Sequence, residues 1–68
     1  MQEVPIRDEG IRLGQFLKLA GIADSGADAA TMLADDTISV NGEPEQRRGR
    51  QLRKGDVVTI GAQSVRVS

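Results

Sequence analysis

The chain has no cysteine, no histidine, no tryptophan and no tyrosine, and Phe16 is its one aromatic residue. Each absence excludes something. Without cysteine there is neither a disulfide framework nor a thiolate zinc site. Without histidine and cysteine, the commonest general base and the best neutral-pH nucleophile are both missing. The carboxylates are scattered, with no paired acid and base, and no glycine loop of the form G-x-x-x-x-G-K-[ST] occurs to cradle a phosphate. The expectation is a protein that is not an enzyme, with no cofactor, no metal and no small-molecule substrate. No apolar run approaches the roughly 20 residues needed to cross a bilayer. Residues 1–7 do not read as a secretory signal, so a cytoplasmic protein without a membrane partner is expected. Readers of single-stranded nucleic acid stack bases on exposed aromatics, and this sequence offers no such platform.

Sixty-eight residues make one domain, residues 1–68, with a monomer as the default. A chain of this size buries only about 60% of its unfolded surface, and its core supplies on the order of 3–5 kcal/mol. The net charge of −1 argues on its own against a nucleic-acid partner. The charge is unevenly spread, however. Residues 1–36 carry three basic and seven acidic groups, whereas residues 37–68 carry six basic and three acidic groups. Local potential decides which ligand docks where.

Val4-Pro5-Ile6 reads as a short edge strand. Leu13, Phe16, Leu17 and Ala20 repeat at helical spacing, which predicts a first helix from about Ile11 to Ala20. Gly21 stands where helices end in a left-handed residue, with Ile22 free to pack back. Gly14 inside that helix costs about 1 kcal/mol relative to alanine. It is either a tolerated defect or the site of a close backbone approach, from protein or from RNA. Ser25 reads as the N-cap of a second helix with Asp28 three residues on, and Ala29, Met32 and Leu33 as its buried face. Asp35 and Asp36 fall near the negative end of the helix dipole, where carboxylates are mildly unfavourable. The period then changes to two. Ile38 and Val40 lead into Asn41-Gly42, a strong hairpin signal, and Lys54-Gly55-Asp56 and Gly61-Ala62-Gln63 mark further reversals. These signals predict an α+β fold, with two helices packed on one face of a small antiparallel sheet of three to five short strands.

The outstanding segment is Arg47-Arg48-Gly49-Arg50-Gln51-Leu52-Arg53-Lys54, which holds five of the nine basic residues. A guanidinium is a planar fork of donors suited to phosphate oxygens. Gly49 lets the chain bend, and Leu52 anchors the stretch in the core. The plain alternative for such a run is a solvated loop. Arg12 and Gln15, three apart on the first helix, extend the same surface if the loop lies alongside, although Arg12 could instead pair with Asp8 or Glu9. Lys18 points further round and is the weaker candidate. On this reading Arg47, Arg48, Arg50 and Arg53 contact phosphates and Arg12 and Gln15 set the orientation. Replacing Arg47, Arg48 and Arg50 together by alanine is then expected to abolish binding and leave the melting temperature nearly unchanged. The ligand is expected to be folded or double-stranded RNA read by shape. Duplex DNA fits less well, because neither helix has a basic face for the major groove.

The runs IRLGQFLKLAGIADSGADAATMLADDTISVNG and RRGRQLRKGDVV, covering about residues 11–60, resemble the S-four (alpha-L) RNA-binding domain. The points of likeness are Arg12-Leu13, Gly21, Ser25, Val40-Asn41-Gly42 and Gly55-Asp56, and the LGQFLKLAG and NGE…RRGRQLRKGD stretches resemble the small stand-alone bacterial subgroup typified by YbcJ. The resemblance implies that the two-helix face, with Arg12, Ser25 and Gly26, contacts structured RNA such as rRNA or a ribosomal particle, with the arginine loop including Gly49 and Lys54 beside it. The family often has basic residues where Ala30 and Ser39 stand here, and an arginine where Gly26 stands. Weaker, more salt-sensitive binding follows from those losses. The alternative reading is a protein-interaction module that docks a basic partner, such as a ribosomal protein, through its acidic helical half.

Overall fold

In this computed structural model, which describes residues 1–35 and 37–68, the elements follow in the order β1 (Gln2–Val4), β2 (Gly10–Arg12), α1 (Leu13–Leu19), α2 (Gly26–Ala34), β3 (Ile38–Val40), β4 (Glu43–Pro44), β5 (Gln51–Arg53), β6 (Val57–Ile60) and β7 (Gln63–Val67). Two helices accompany a five-stranded sheet of order β1-β7-β6-β3-β4 and a separate two-stranded sheet of β2 and β5. The expected α+β class holds, with two differences. The large sheet is mixed, because β1 pairs parallel with β7 in the register Gln2 to Val65. The first helix is also shorter than its apolar spacing implies: Ile11 and Arg12 are spent on pairing with Leu52 and Gln51.

The helix signals act locally. Gly21 has φ 75°. Its amide bonds the carbonyl of Lys18 at 3.1 Å and the amide of Ile22 bonds that of Leu17 at 2.9 Å, which closes α1 with the two crossed bonds of a Schellman end. Ser25 Oγ accepts the amide of Asp28 at 3.1 Å, and the Asp28 carboxylate reaches back to the amide of Asp24 at 3.3 Å. Asp35 forms the C-cap of α2, whereas Asp36, the other half of that acidic pair, lies outside the described residues.

The β3–β4 hairpin turns at Asn41 and Gly42, both with positive φ (52° and 85°), as a two-residue turn matching the strand twist requires. Asn41 also fixes the hairpin to the next reversal. Its Nδ2 donates to Asp56 Oδ1 at 3.1 Å and its Oδ1 accepts the amide of Val57 at 2.9 Å. Asp56 Oδ2 in turn accepts the amide of Arg53 at 2.8 Å. The core joins Leu13, Phe16 and Leu17 of α1 and Leu33 of α2 to Val58 and Val65 of the sheet, all essentially inaccessible. Each such side chain contributes about 1.5–3 kcal/mol by leaving water. Leu52 belongs to the same cluster, so β5 is pinned at its centre and the arginine-rich segment before it has a fixed end. Among the described residues no helix is long and apolar enough to cross a membrane.

Candidate nucleic-acid interface

Between β4 and β5 the chain makes a tight excursion organised by Glu45, a carboxylate that is only 7% exposed. Its amide bonds the carbonyl of Ile38 at 3.0 Å, which carries the strand pairing one residue further. Glu45 Oε1 accepts Arg50 Nη1 at 2.9 Å and Oε2 accepts Arg47 Nε at 3.2 Å. Oε2 also accepts the amides of Gln46 and Arg47 at 3.2 and 3.3 Å. Hydrogen bonds from Arg47 and then Arg50 favour the ionised form more than burial opposes it, so the pKa falls from 4.5 to about 2. The amide of Arg50 bonds the carbonyl of Arg47 at 3.2 Å, which leaves Arg48 and Gly49 at the corner of a turn.

That turn docks on the first residues of α1. A helix begins with amides that have no partner within it, and here Arg12, the N-cap, supplies no side-chain bond. The turn meets part of this need: the amide of Leu13 donates to the carbonyl of Arg50 at 2.8 Å and that of Gly14 to the carbonyl of Arg48 at 2.9 Å. The approach is close enough that a Cβ at position 14 would stand 3.1 Å from Arg48 Cβ. Gly14 is thus a contact point for protein backbone, which settles between the two readings its sequence position left open.

Arg48 is thereby set beside Arg12, with Gln15 and Lys18 following on α1. Together with Gly26 of α2 and Gly49 of the turn, these side chains line a groove of about 290 Å³. Five of the residues expected from sequence meet there: Arg12, Gln15, Gly26, Arg48 and Gly49. The others do not. Ser25 is engaged as the helix cap. Arg47 and Arg50 face Glu45, although the Arg47 side chain stays 78% exposed. Arg53 and Lys54 border a separate depression with Glu9 and Gln51. The expected single arginine surface is therefore divided into three places, because a buried acid claims two members and strand alternation sends a third away.

Lys18, the weaker candidate in the sequence, lines the same groove. It follows Gly14 by four residues and Gln15 by three, a spacing that puts all three on one helix face. Arg12, Lys18 and Arg48 have no ion pair among the described residues, and Arg12 does not bond Asp8 or Glu9. Arg12, Lys18 and Arg48, without an ion-pair partner among the described residues, thus line one groove that has no aromatic wall. Also among the described residues, no group of three or more histidine, cysteine, aspartate or glutamate side chains could hold a metal ion.

The family model of the S4 domain matches residues 4–68. A probable ribosome maturation protein, RlbA, of Bacillus subtilis is 51% identical over 57 residues, covering 84% of this chain and 80% of the relative. The small ribosomal subunit protein uS4m of Schizosaccharomyces pombe is 39% identical over 54 residues, but only 16% of its length is covered. Among solved structures, the solution structure of YbcJ from E. coli, described as revealing an alpha-L motif involved in RNA binding, superposes with a TM-score of 0.74 at 29% identity. That match covers 98% of this chain and 86% of YbcJ.

Proposed function

The chain belongs to the S4 domain family, and from that premise we propose that it is a non-catalytic RNA-binding protein whose ligand is structured RNA, held through its backbone. Its partner is ribosomal RNA or a ribosomal assembly particle, a reading supported by likeness to a ribosome maturation protein across most of both chains.

The observation that carries the proposal is the meeting of Arg12, Lys18 and Arg48 in one groove without acidic partners among the described residues. Arginine forks and a lysine point charge suit phosphate oxygens. With no aromatic residue in the lining, the ligand is read by strand shape and by phosphate and ribose contacts.

Binding to purified ribosomal RNA, titrated at several salt concentrations, tests the reading. Three neutralised phosphates give a slope of log K against log salt of about −2 to −3. That is shallower than the roughly −3 to −5 expected if four to six phosphates met a continuous arginine surface. A flat slope, or no binding to structured RNA, overturns the proposal.

A further inference from the structure

We infer that Glu45 is a positioning residue of the RNA interface: its carboxylate fixes the turn that carries Arg48, so that an acid strengthens the hold on a polyanion. The inference rests on the RNA-binding reading above and deepens it by naming what keeps the groove in its binding shape.

No hydrophobic anchor holds this turn. Residues 45–51 read Glu-Gln-Arg-Arg-Gly-Arg-Gln, without one apolar side chain between Pro44 and Leu52, so burial of hydrocarbon does not fix their path. Arg47, Arg48 and Arg50 also fall within four positions, and like charges so close repel one another. Glu45 is the buried member of the segment, and its carboxylate is bonded from both sides of Arg48. Oε2 accepts the amides of Gln46 and Arg47 and the Arg47 Nε. Oε1 accepts Arg47 Nη2 at 3.4 Å and Arg50 Nη1 at 2.9 Å. Held by these bonds, the carboxyl has a pKa of about 2, so the charge is present wherever binding is measured near neutral pH.

The turn is thus clamped from two directions. On the sheet side, the amide of Glu45 bonds the carbonyl of Ile38; on the helix side, the carbonyls of Arg48 and Arg50 accept the amides of Gly14 and Leu13. Arg48 lies between the two attachments and lines the groove with Arg12 and Lys18. A glutamine at position 45 keeps the shape of the side chain but loses the charge-assisted bonds. Arg47 and Arg50 are then no longer neutralised, and their repulsion acts on Arg48. Two roles for Glu45 therefore give opposite signs. If it were only one more negative charge, its removal would raise affinity for RNA, because the surface becomes more positive. If it holds Arg48 in place, its removal lowers affinity, because the turn must then be ordered at the moment of binding.

The test is a double-mutant cycle of E45Q and R48A. Each protein is titrated against purified ribosomal RNA at several salt concentrations, at a temperature where its melting curve shows it fully folded. The expected result is about a tenfold loss of affinity in E45Q, a salt slope reduced by about 1, and a double variant within about twofold of R48A alone. An acid that only stabilised the fold would not have its effect cancelled by R48A. E45D, which keeps the charge but withdraws it by one methylene, carries the same cycle should E45Q not fold, with a smaller loss that R48A again cancels. Affinity in E45Q equal to or above wild type, or a loss of equal size with and without Arg48, overturns the inference and leaves the RNA-binding reading standing. Absence of RNA binding by the wild-type protein overturns both.

Discussion

The amide of Gly14 and the carbonyl of Arg48 meet at 2.9 Å, 34 residues apart in sequence, and a Cβ on residue 14 would stand 3.1 Å from the Arg48 Cβ. One contact thus performs two tasks: it helps cap a helix and it holds the backbone of Arg48 against the start of α1. Building the Arg48-Gly49 turn into the start of α1 ties the geometry of the groove to folding.

Gly14→Ala is expected to lower both stability and RNA affinity. Alanine gains about 1 kcal/mol of helix propensity, but the atoms it crowds belong to a turn already held by the amide of residue 14 itself. The turn can retreat only by lengthening that bond and carrying Arg48 outward. Thermal melting and RNA titration on the same variant check this. An affinity equal to wild type would show that the placement of Arg48 is not set by this contact.

The division of basic residues gives a second expectation. Arg12→Ala, Lys18→Ala and Arg48→Ala should each weaken binding and reduce the salt slope by about 1, as loss of a phosphate contact does. Arg53→Ala and Lys54→Ala, whose side chains border a different depression, should leave affinity within about twofold, as charges outside a contact are screened over roughly 8–10 Å. Salt-dependent titration of the five variants separates this pattern from a uniform arginine surface, which would make all five alike.

Glu45 makes stability depend on acid. Its carboxyl has a folded pKa of about 2 against an ordinary value of 4.5. A depressed value means that the unfolded chain takes up the proton first. The stabilisation is therefore complete above about pH 4.5 and lost as pH falls towards 2. Glu45→Gln should melt several degrees lower at neutral pH, since a charged hydrogen bond is worth on the order of 1.5–3 kcal/mol and about 1 kcal/mol moves a domain this small by 4–8 °C. The gap to wild type should close between pH 4.5 and 2. Melting curves across that range check it, and a constant gap would rule out the ionised carboxylate as the cause. For the same reason, replacing Arg47, Arg48 and Arg50 together should lower the melting temperature, because it strips a buried acid of both its partners.

What the sequence made legible is what neighbouring residues decide among themselves. Ser25 with Asp28, Gly21 after the first apolar stripe, and Asn41-Gly42 are each a few residues long, and each stands where its signal pointed. The parallel pairing of β1 with β7 joins Gln2 to Val65, and no local pattern encodes such a register. The distribution of the arginine segment was not legible for a similar reason. Glu45 reads as one more solvated charge in a loop, and its burial is a tertiary event that depends on strand pairing with Ile38. Once that acid is inside, Arg47 and Arg50 turn towards it and Arg48 is left in the groove beside Arg12. Lys18, by contrast, could have been placed from its spacing to Gly14 and Gln15 alone.

Gln15 supplies the last expectation, which concerns RNA against DNA. Three cations in a groove attract any phosphodiester strand and do not by themselves tell ribose from deoxyribose. The distinguishing group is the 2′-hydroxyl, which both donates and accepts hydrogen bonds. Of the groove's long side chains only Gln15 also does both, because guanidinium and ammonium groups lack an acceptor. Gln15→Ala should therefore leave the salt slope unchanged while narrowing the preference for an RNA stem-loop over its DNA counterpart by about tenfold, the worth of one hydrogen bond of about 1.4 kcal/mol. Gln15→Glu keeps the acceptor but adds a negative charge beside the phosphates, so it should weaken both ligands. Parallel titrations of the two stem-loops decide the matter: equal losses for RNA and DNA in Gln15→Ala would make Gln15 a spacer between the cations, with discrimination residing elsewhere.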